Sequence, residues 1–247
     1  ALSPENKIIF MTGPLTGTAL VSTTKFQLST KSPETRMYLC SNCGGDFGPQ
    51  LKKAGFDGII VEGKAKGLTW LSLKDGTLEF HDASAWKGFS STNTLEQMRG
   101  AFGETKAGAV AIGPAGERLV RIAYINVDER AFGRGGPGAV MGSKNLKGII
   151  VKGSGEIELA DPEKVAAIRK AAVADLKTSR ANHTKFGTPQ YLEVLNTLGC
   201  LPTNNFQTAT FEGIDRIDAH AMKEEYFEKN YACYRCTVAC GKMCVVK

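Results

Sequence analysis

No apolar run in the sequence approaches the roughly 20 residues needed to cross a bilayer. The opening, Ala1-Leu2-Ser3-Pro4-Glu5-Asn6-Lys7, lacks the apolar stretch of a secretory signal and has no initiator methionine. Histidine is scarce, and His81, His183 and His220 stand far apart, which suits packing or surface roles better than a shared metal. The basic residues are scattered and not interleaved with exposed aromatics, so the net charge of +6 does not trace a nucleic-acid stripe. These absences lead us to expect a cytoplasmic chain with no membrane and no nucleic-acid partner.

What is present is ordinary in bulk and uneven in detail. The 42% hydrophobic and 23% charged fractions are those of a globular protein, and 247 residues can bury one large core or two smaller ones. Glycine is abundant, with 28 residues at separated positions. Of the seven cysteines, four crowd between Cys233 and Cys244, unlike a secreted disulfide framework spread along a short chain. Crowded thiols without a signal peptide point to a metal or cluster in a reducing compartment.

Sliding the sequence over itself reveals a repeat. At an offset of 90, Gly45, Gly48, Gly58, Ile59, Ile60, Val61 and Gly63 fall on Gly135, Gly138, Gly148, Ile149, Ile150, Val151 and Gly153 without a gap. At an offset of 100, Gly13-Pro14-Leu15-Thr16-Gly17 echoes Gly113-Pro114-Ala115-Gly116. Such self-similarity marks a duplicated supersecondary unit. Ile8–Thr12 and Ala109–Ile112 are short apolar runs ending at Gly-Pro, hence strands entering turns. Phe26–Ser29, Trp70–Leu73 and Leu119–Asn126 also have strand character. The pairs Gly44-Gly45 and Gly135-Gly136 open segments expected to coil, Phe47–Ala54 and Ala139–Leu146, the first stopped by Gly55. Gly58–Glu62 and Gly148–Lys152 read as buried strands because they are rich in β-branched residues. Glycine loops of this kind let backbone N–H groups approach an anion, and two related copies imply two similar anionic groups about a pseudo-twofold axis. Gly133-Arg134-Gly135-Gly136-Pro137-Gly138 spells G-x-G-x-x-G. The charged stretch Val127–Phe132 ahead of it is not the strand that a dinucleotide site requires.

From Asp161-Pro162 the texture becomes helical. Pro162 suits a first helical position, and Val165, Ile168, Ala172 and Leu176 recur at helical spacing. Further helices are expected over Pro189–Leu198, stopped by Gly199, and over Asp218–Asn230. The fold class expected is thus α+β: a pseudo-twofold duplicated domain over residues 1–154, then an incomplete all-α region over 155–247. Cys233-x2-Cys236-x3-Cys240, with Cys244 beyond, is the sharpest motif. Thiolates at this spacing suit an iron–sulfur cubane, a zinc ion being the alternative and inert thiols the bland one. Cys40-x2-Cys43 has no second pair and reads as two ordinary thiols, and Cys200 as a core residue.

Several blocks together resemble the aldehyde ferredoxin oxidoreductases. They are Ser3–Lys7, Gly13–Thr18, Thr30–Pro33, Gly113–Glu117, Arg130–Lys147, Asn205–Thr208 and the Cys233–Cys240 motif, and they span the chain in order. The resemblance implies a base domain whose pseudo-dyad cradles two pterin dithiolenes holding one tungsten or molybdenum. It implies pterin contacts from Asn42 and Gly44 in the first copy, and from Arg130, Ala131, Gly133 and Arg134 in the second. The backbone carbonyls of Asn42 and Ala131 would hold a magnesium between the pterin phosphates. Lys25 falls where the family commonly carries a pterin-contacting arginine; it keeps the charge and loses the bidentate fork. Thr237 stands where a proline is frequent. Cys233, Cys236 and Cys240 would ligate a [4Fe-4S] cluster, with a fourth ligand, the substrate pocket and the catalytic residues outside this stretch and Cys244 a bystander. The activity implied is oxidation of an aldehyde to a carboxylic acid, with electrons passed to ferredoxin or another electron-transfer protein, and self-association is an open expectation. A benzoyl-CoA-reductase-type subunit is the alternative within the family; a non-catalytic iron–sulfur carrier lies outside it.

Overall fold

The computed structural model describes residues 1–246. The chain divides into two compact units, Ala1–Asp161 and Pro162–Lys247. Among the described residues, no helix is long and apolar enough to cross a membrane.

In the first unit β1 (Ile8–Thr12), β2 (Phe26–Lys31) and β3 (Tyr38–Cys43) lead into the helix α1 (Phe47–Lys53) and then β4 (Gly58–Val61). A hairpin, β5 (Thr69–Lys74) and β6 (Thr77–Asp82), and the helix α2 (Ser91–Phe102) follow. The second copy then runs β7 (Gly108–Ala111), a single turn α3 (Pro114–Glu117), β8 (Ile125–Val127), β9 (Arg130–Phe132), α4 (Pro137–Ser143) and β10 (Leu146–Lys152). One sheet has the order β3-β2-β1-β4, the other β6-β5-β10-β7-β8-β9. The four strands β9-β8-β7-β10 therefore repeat the topology of β3-β2-β1-β4, with the last strand of each copy beside its first.

The registers repeat as well. Phe10 pairs with Ile59 and Met11 with Gly58 in the first copy; Val110 pairs with Ile149 and Ala111 with Gly148 in the second. First strands are thus related by 100 residues and last strands by 90, the two offsets present in the sequence. The copies share one core. Phe10, Phe26 and Phe47 pack with Phe132 of the second copy, with ring centroids 5.0 Å apart for Phe26–Phe132 and 6.0 Å for Phe10–Phe132. Each such ring contributes about 1.5–3 kcal/mol through burial, plus roughly 0.5–1.5 kcal/mol per favourable aromatic pair. A second cluster seals the other face of the larger sheet, where Leu95 and Met98 of α2 meet Trp70, Ala109 and Ile150.

Local chemistry explains most elements and corrects several expectations. Helix α1 ends with Gly55 N–H donating to Lys52 O and Phe56 N–H to Leu51 O, with Gly55 at φ +92°, the Schellman arrangement. Helix α2, which the sequence reading passed over, is capped by Ser90, whose hydroxyl accepts from Asn93 N–H, and is closed by left-handed Gly103. The expected strand Leu119–Asn126 shrinks to Ile125–Val127. Leu119 has φ +57°, and turn hydrogen bonds from Leu119, Val120 and Ala123 hold the preceding residues in loops. The coiled segment Ala139–Leu146 is in fact Pro137–Ser143, because left-handed Asn145 turns the chain and Leu146 opens β10. Gly58–Val61 is a strand but not a buried one: β4 is the edge of its sheet and Ile60 is 63% exposed. Its counterpart Ile150 is fully buried beneath α2.

The second unit carries α5 (Pro162–Ser179), α6 (Ala181–Phe186), α7 (Leu192–Thr197) and a short α8 (Ala219–Ala221). It is not all helix. The helix expected over Asp218–Asn230 begins as foreseen, with the Asp218 carboxylate accepting from Ala221 N–H, and widens into a π turn over Met222–Tyr226. It then gives way to β11 (Phe227–Tyr231), which pairs with β12 (Gly241–Cys244). The β-prone Tyr226-Phe227 pair and the aromatic Tyr231 find a partner strand that local periodicity cannot reveal.

Candidate functional sites

The first candidate site grows from the ends of two edge strands. β3 and β9 each close one side of their sheets, and each runs into a glycine loop before a two-turn helix. Asn42 pairs with Gln27 on β2, and Ala131 pairs with Asn126 on β8, so the two occupy equivalent places in the duplicated ladders. Both residues are exposed, as are Lys25, Gly133 and Arg134; Gly44 is buried and Arg130 half-buried. Lys25 sits at the head of β2, its carbonyl accepting from Thr16 Oγ1 at 2.8 Å.

Each glycine loop packs on a strand of the other copy. Gly45, at φ +107°, lies against Val127 of the second copy, whose Cγ1 would be 3.3 Å from a Cβ added there. Reciprocally Gly135, at φ +79°, lies against Leu39 of the first copy, with Cδ1 only 2.5 Å from an added Cβ. Ser32 Oγ donates to Gly135 O at 2.8 Å and accepts from the Glu34 and Thr35 N–H groups. Thr24 Oγ1 donates to Gly45 O. The Thr30–Pro33 block thus has a physical task, to tie the first copy to the glycine loop of the second. The sequence reading gave Ser32 no role, although its place before Pro33 and a turn was a visible cue.

Acidic groups flank the first loop. Asp128, in the turn between β8 and β9, is held by the Arg99 guanidinium, and its Oδ2 would be 3.9 Å from a Cβ on Gly45. Burial of the Asp46 carboxyl, and then the charge of Asp128, raise its pKa above the ordinary 3.8; Arg99 and Lys152 oppose the shift. On β10 Lys147 is fully buried, its Nζ donating to Phe89 O at 2.9 Å and paired with Glu117. Lys144 is likewise buried and donates to Pro4 O and Gly63 O at 2.9 and 3.1 Å.

The G-x-G-x-x-G string does follow a strand, β9, where a charged non-strand segment was expected. The dinucleotide reading still fails, for a different reason. β9 and β10 are antiparallel through β8 and β7, so no parallel strand–helix–strand unit exists around α4. Cys40 and Cys43 lie on β3, Cys40 exposed and Cys43 buried in the core.

The second candidate site belongs to the second unit. Cys233, Cys236 and Cys240 all lie in the connection between β11 and β12, half-buried, while Cys244 is exposed on β12 itself. A turn brings Cys236 N–H to Cys233 O at 3.0 Å. Arg235 and Ala239 adopt φ of +49° and +47°, a conformation costing non-glycine residues roughly 1–2 kcal/mol. Among the described residues no three His, Cys, Asp or Glu groups are gathered closely enough to hold a metal ion. Burial, and then the neighbouring Lys223 charge, hold the Lys242 ammonium below its usual range, with Cys240 and Cys244 pulling the other way. Cys200, expected in the core, is exposed, with Sγ near Leu198 O at 3.5 Å.

The architecture defines a duplicated α+β domain followed by a largely helical region with a cysteine loop, and comparison with known proteins gives it a family. The N-terminal domain of aldehyde ferredoxin oxidoreductase matches residues 1–153, and domains 2 and 3 of the same enzyme match residues 164–247. The chain belongs to the aldehyde ferredoxin oxidoreductase family. It is 41% identical over 245 residues to a tungsten-containing aldehyde ferredoxin oxidoreductase of Pyrococcus abyssi, covering 98% of this chain and 40% of that protein. A Pyrococcus furiosus relative described as an aliphatic sulfonate oxidoreductase, WOR-like subunit, is 33% identical over 259 residues, covering 98% of this chain and 41% of that protein. Among solved structures, the active-site complex BamBC of benzoyl coenzyme A reductase, in complex with 1,5-dienoyl-CoA, matches with a TM-score of 0.84 and 30% identity, over 100% of this chain and 40% of that one. The chain thus spans about 40% of the length of the relatives it matches.

Proposed function

We propose that the protein carrying this chain oxidises aldehydes to carboxylic acids at a tungsten or molybdenum centre held by two pterins, passing electrons through a [4Fe-4S] cluster to ferredoxin. The half-reaction consumes water and releases two protons and two electrons. The observation that carries the reading is the reciprocal packing of two equivalent glycine loops, each on a strand of the other copy, Gly45 on Val127 and Gly135 on Leu39. Two copies of one anion-holding device, each packed on the other copy, fit a paired phosphate-bearing ligand. The names of the 41% identical relatives supply tungsten, aldehyde and ferredoxin.

The residues present suit the cofactor they would hold. The carbonyls of Asn42 and Ala131 are hard oxygen donors on equivalent, exposed positions, the donor type magnesium prefers. Arg130, Arg134 and Lys25 would offset phosphate charge, Gly44 and Gly133 would let backbone approach, and Cys233, Cys236 and Cys240 would ligate three irons. When bound, the metal–pterin centre supplies the two-electron oxidation and the cubane the one-electron relay. This chain's own residues would bind and orient that centre. A reducing compartment, the cytoplasm, suits seven cysteines that form no disulfide among the described residues.

Metal analysis of the anaerobically purified full-length protein tests the reading. Tungsten or molybdenum with about four irons per chain is expected. Zinc alone, with no pterin fluorescence after oxidation, overturns it. The benzoyl-CoA-reductase-type alternative rests on the BamBC match. Turnover of an aromatic acyl-CoA, with none of aldehydes, would select it.

A further inference from the structure

We propose that Lys242 is a positioning residue for the iron–sulfur site, clamping the Cys240 end of the cysteine loop and placing a fixed cation beside it. The inference rests on the cluster reading given under the proposed function and adds to it a residue that is not a ligand. Lys242 sits on β12, two residues after Cys240, and its half-buried ammonium has three acceptors on three separate pieces of chain. Nζ donates to Thr184 O on α6 at 2.8 Å, to Asn230 Oδ1 on the paired strand β11 at 2.8 Å, and to Ala239 O at 3.2 Å. Asn230 and Lys242 are direct cross-strand partners, so the bond between them locks the hairpin at the mouth of the loop.

The bond to Ala239 matters most. Ala239 is left-handed at φ +47° and immediately precedes Cys240, so its strained turn sets the direction in which the Cys240 thiol leaves the chain. An ammonium on the Ala239 carbonyl holds that turn. On the far side Gly187, at φ +67°, follows α6 and comes so close to the Cys240 carbonyl that a side chain there would collide with it. Helix α6 therefore contributes both a carbonyl for the lysine and a close backbone wall for the cysteine. A cation held this way, with few degrees of freedom, stabilises the more negative, reduced form of an adjacent cluster and raises its potential.

The test uses the full-length protein, purified anaerobically, as wild type, Lys242→Met, Lys242→Arg and Asn230→Ala. Two quantities are read: the rate of iron loss to a chelator, and the cluster midpoint potential from an EPR-monitored titration. We expect Lys242→Met to weaken iron retention by about 10- to 100-fold, the range for partners that orient metal ligands, and to move the midpoint to a more negative value. Lys242→Arg keeps the charge and restores the midpoint. Asn230→Ala removes one acceptor of three and gives a smaller loss of retention in the same direction; it carries the test if the methionine variant does not fold. Wild-type retention and midpoint in both Lys242→Met and Asn230→Ala overturn the assignment, even if thermal stability falls. A wild-type protein without iron and acid-labile sulfide removes the cluster reading itself, and the inference with it.

Discussion

Asn42 and Ala131 stand at the same place in two ladders of identical topology, one opposite Gln27 and the other opposite Asn126. The duplication has preserved the backbone position while the side chain diverged. Whatever the two positions share must therefore be done by main chain, and whatever differs is left to neighbours such as Arg130 and Arg134. That is the arrangement expected where one pseudo-symmetric ligand is gripped by atoms common to every residue.

The reciprocal glycine contacts lead to the first prediction. Replacing Gly135 by alanine would force a left-handed L-residue into the Leu39 side chain, and replacing Gly45 would press on Val127. Each variant should lose about 1–3 kcal/mol by urea unfolding, the cost of a strained non-glycine residue. Gly55→Ala, at φ +92° with open space around its Cβ position, isolates the backbone part of that cost and should fall at the low end. Equal losses at all three sites would mean that the inter-copy contacts contribute nothing.

Much of this was legible before any coordinates. The offsets of 90 and 100 relate β4 to β10 and β1 to β7, and the register of β1 on β4 matches that of β7 on β10, because pairing one residue out would turn every core side chain to solvent. The glycine pairs marked the loops for the same reason that Gly45 and Gly135 have positive φ. What stayed hidden was non-local. Leu119-Val120 looks like a strand until turn bonds to Gly116 and Ala115 claim it, and Phe227–Tyr231 looks like a helix end until Gly241–Cys244 arrives beside it. Ile60 and Ile150 share a sequence context and differ in burial because α2 lies over only one of them. The Ser90 cap and Gly103 stop of α2 were readable and were passed over.

The buried pair Glu117–Lys147 allows a cleaner energetic test. Lys147 is fully buried and Glu117 also accepts from Gly88 N–H at 2.9 Å, so the carboxylate organises the loop beside α2 as well as the charge. Glu117→Ala should cost about 3–5 kcal/mol by leaving an uncompensated ammonium in the core. Lys147→Met combined with Glu117→Leu should cost much less than the sum of the single changes, since neither charge is then stranded. Additive losses in a double-mutant cycle would show that the two side chains act independently.

Asp46 gives a pH prediction with a definite sign. Its folded-state pKa is raised above 3.8, by burial first and Asp128 second, so between 3.8 and the raised value the folded chain binds more protons than the unfolded one. Stability attributable to this group therefore falls as pH rises through that window. The Asp46 side chain makes no capping bond at the start of α1, so Asp46→Asn removes the penalty without losing a cap. The variant should be more stable than wild type at neutral pH, with the difference vanishing below about pH 3.8, the unfolded-state value. Parallel urea-midpoint profiles for the two proteins across the window would contradict the assignment.

The cysteines separate by location, and that separation can be read in iron. Cys233, Cys236 and Cys240 share one loop, whereas Cys244 lies on β12 beyond it, exposed and in a strand that pairs with Phe227–Tyr231. Neighbouring side chains in a strand point to opposite faces, and an ordered ladder leaves Cys244 little freedom to swing toward the loop. Serine at any of the three loop positions should deplete the full-length protein of most of its cluster iron, measured per chain after anaerobic purification. Serine at Cys244 should leave iron content and the EPR spectrum of the reduced cluster unchanged. If Cys244→Ser loses as much iron as Cys240→Ser, the hairpin must rearrange to bring β12 into the ligand set, and the three-cysteine loop is not the unit that holds the cluster.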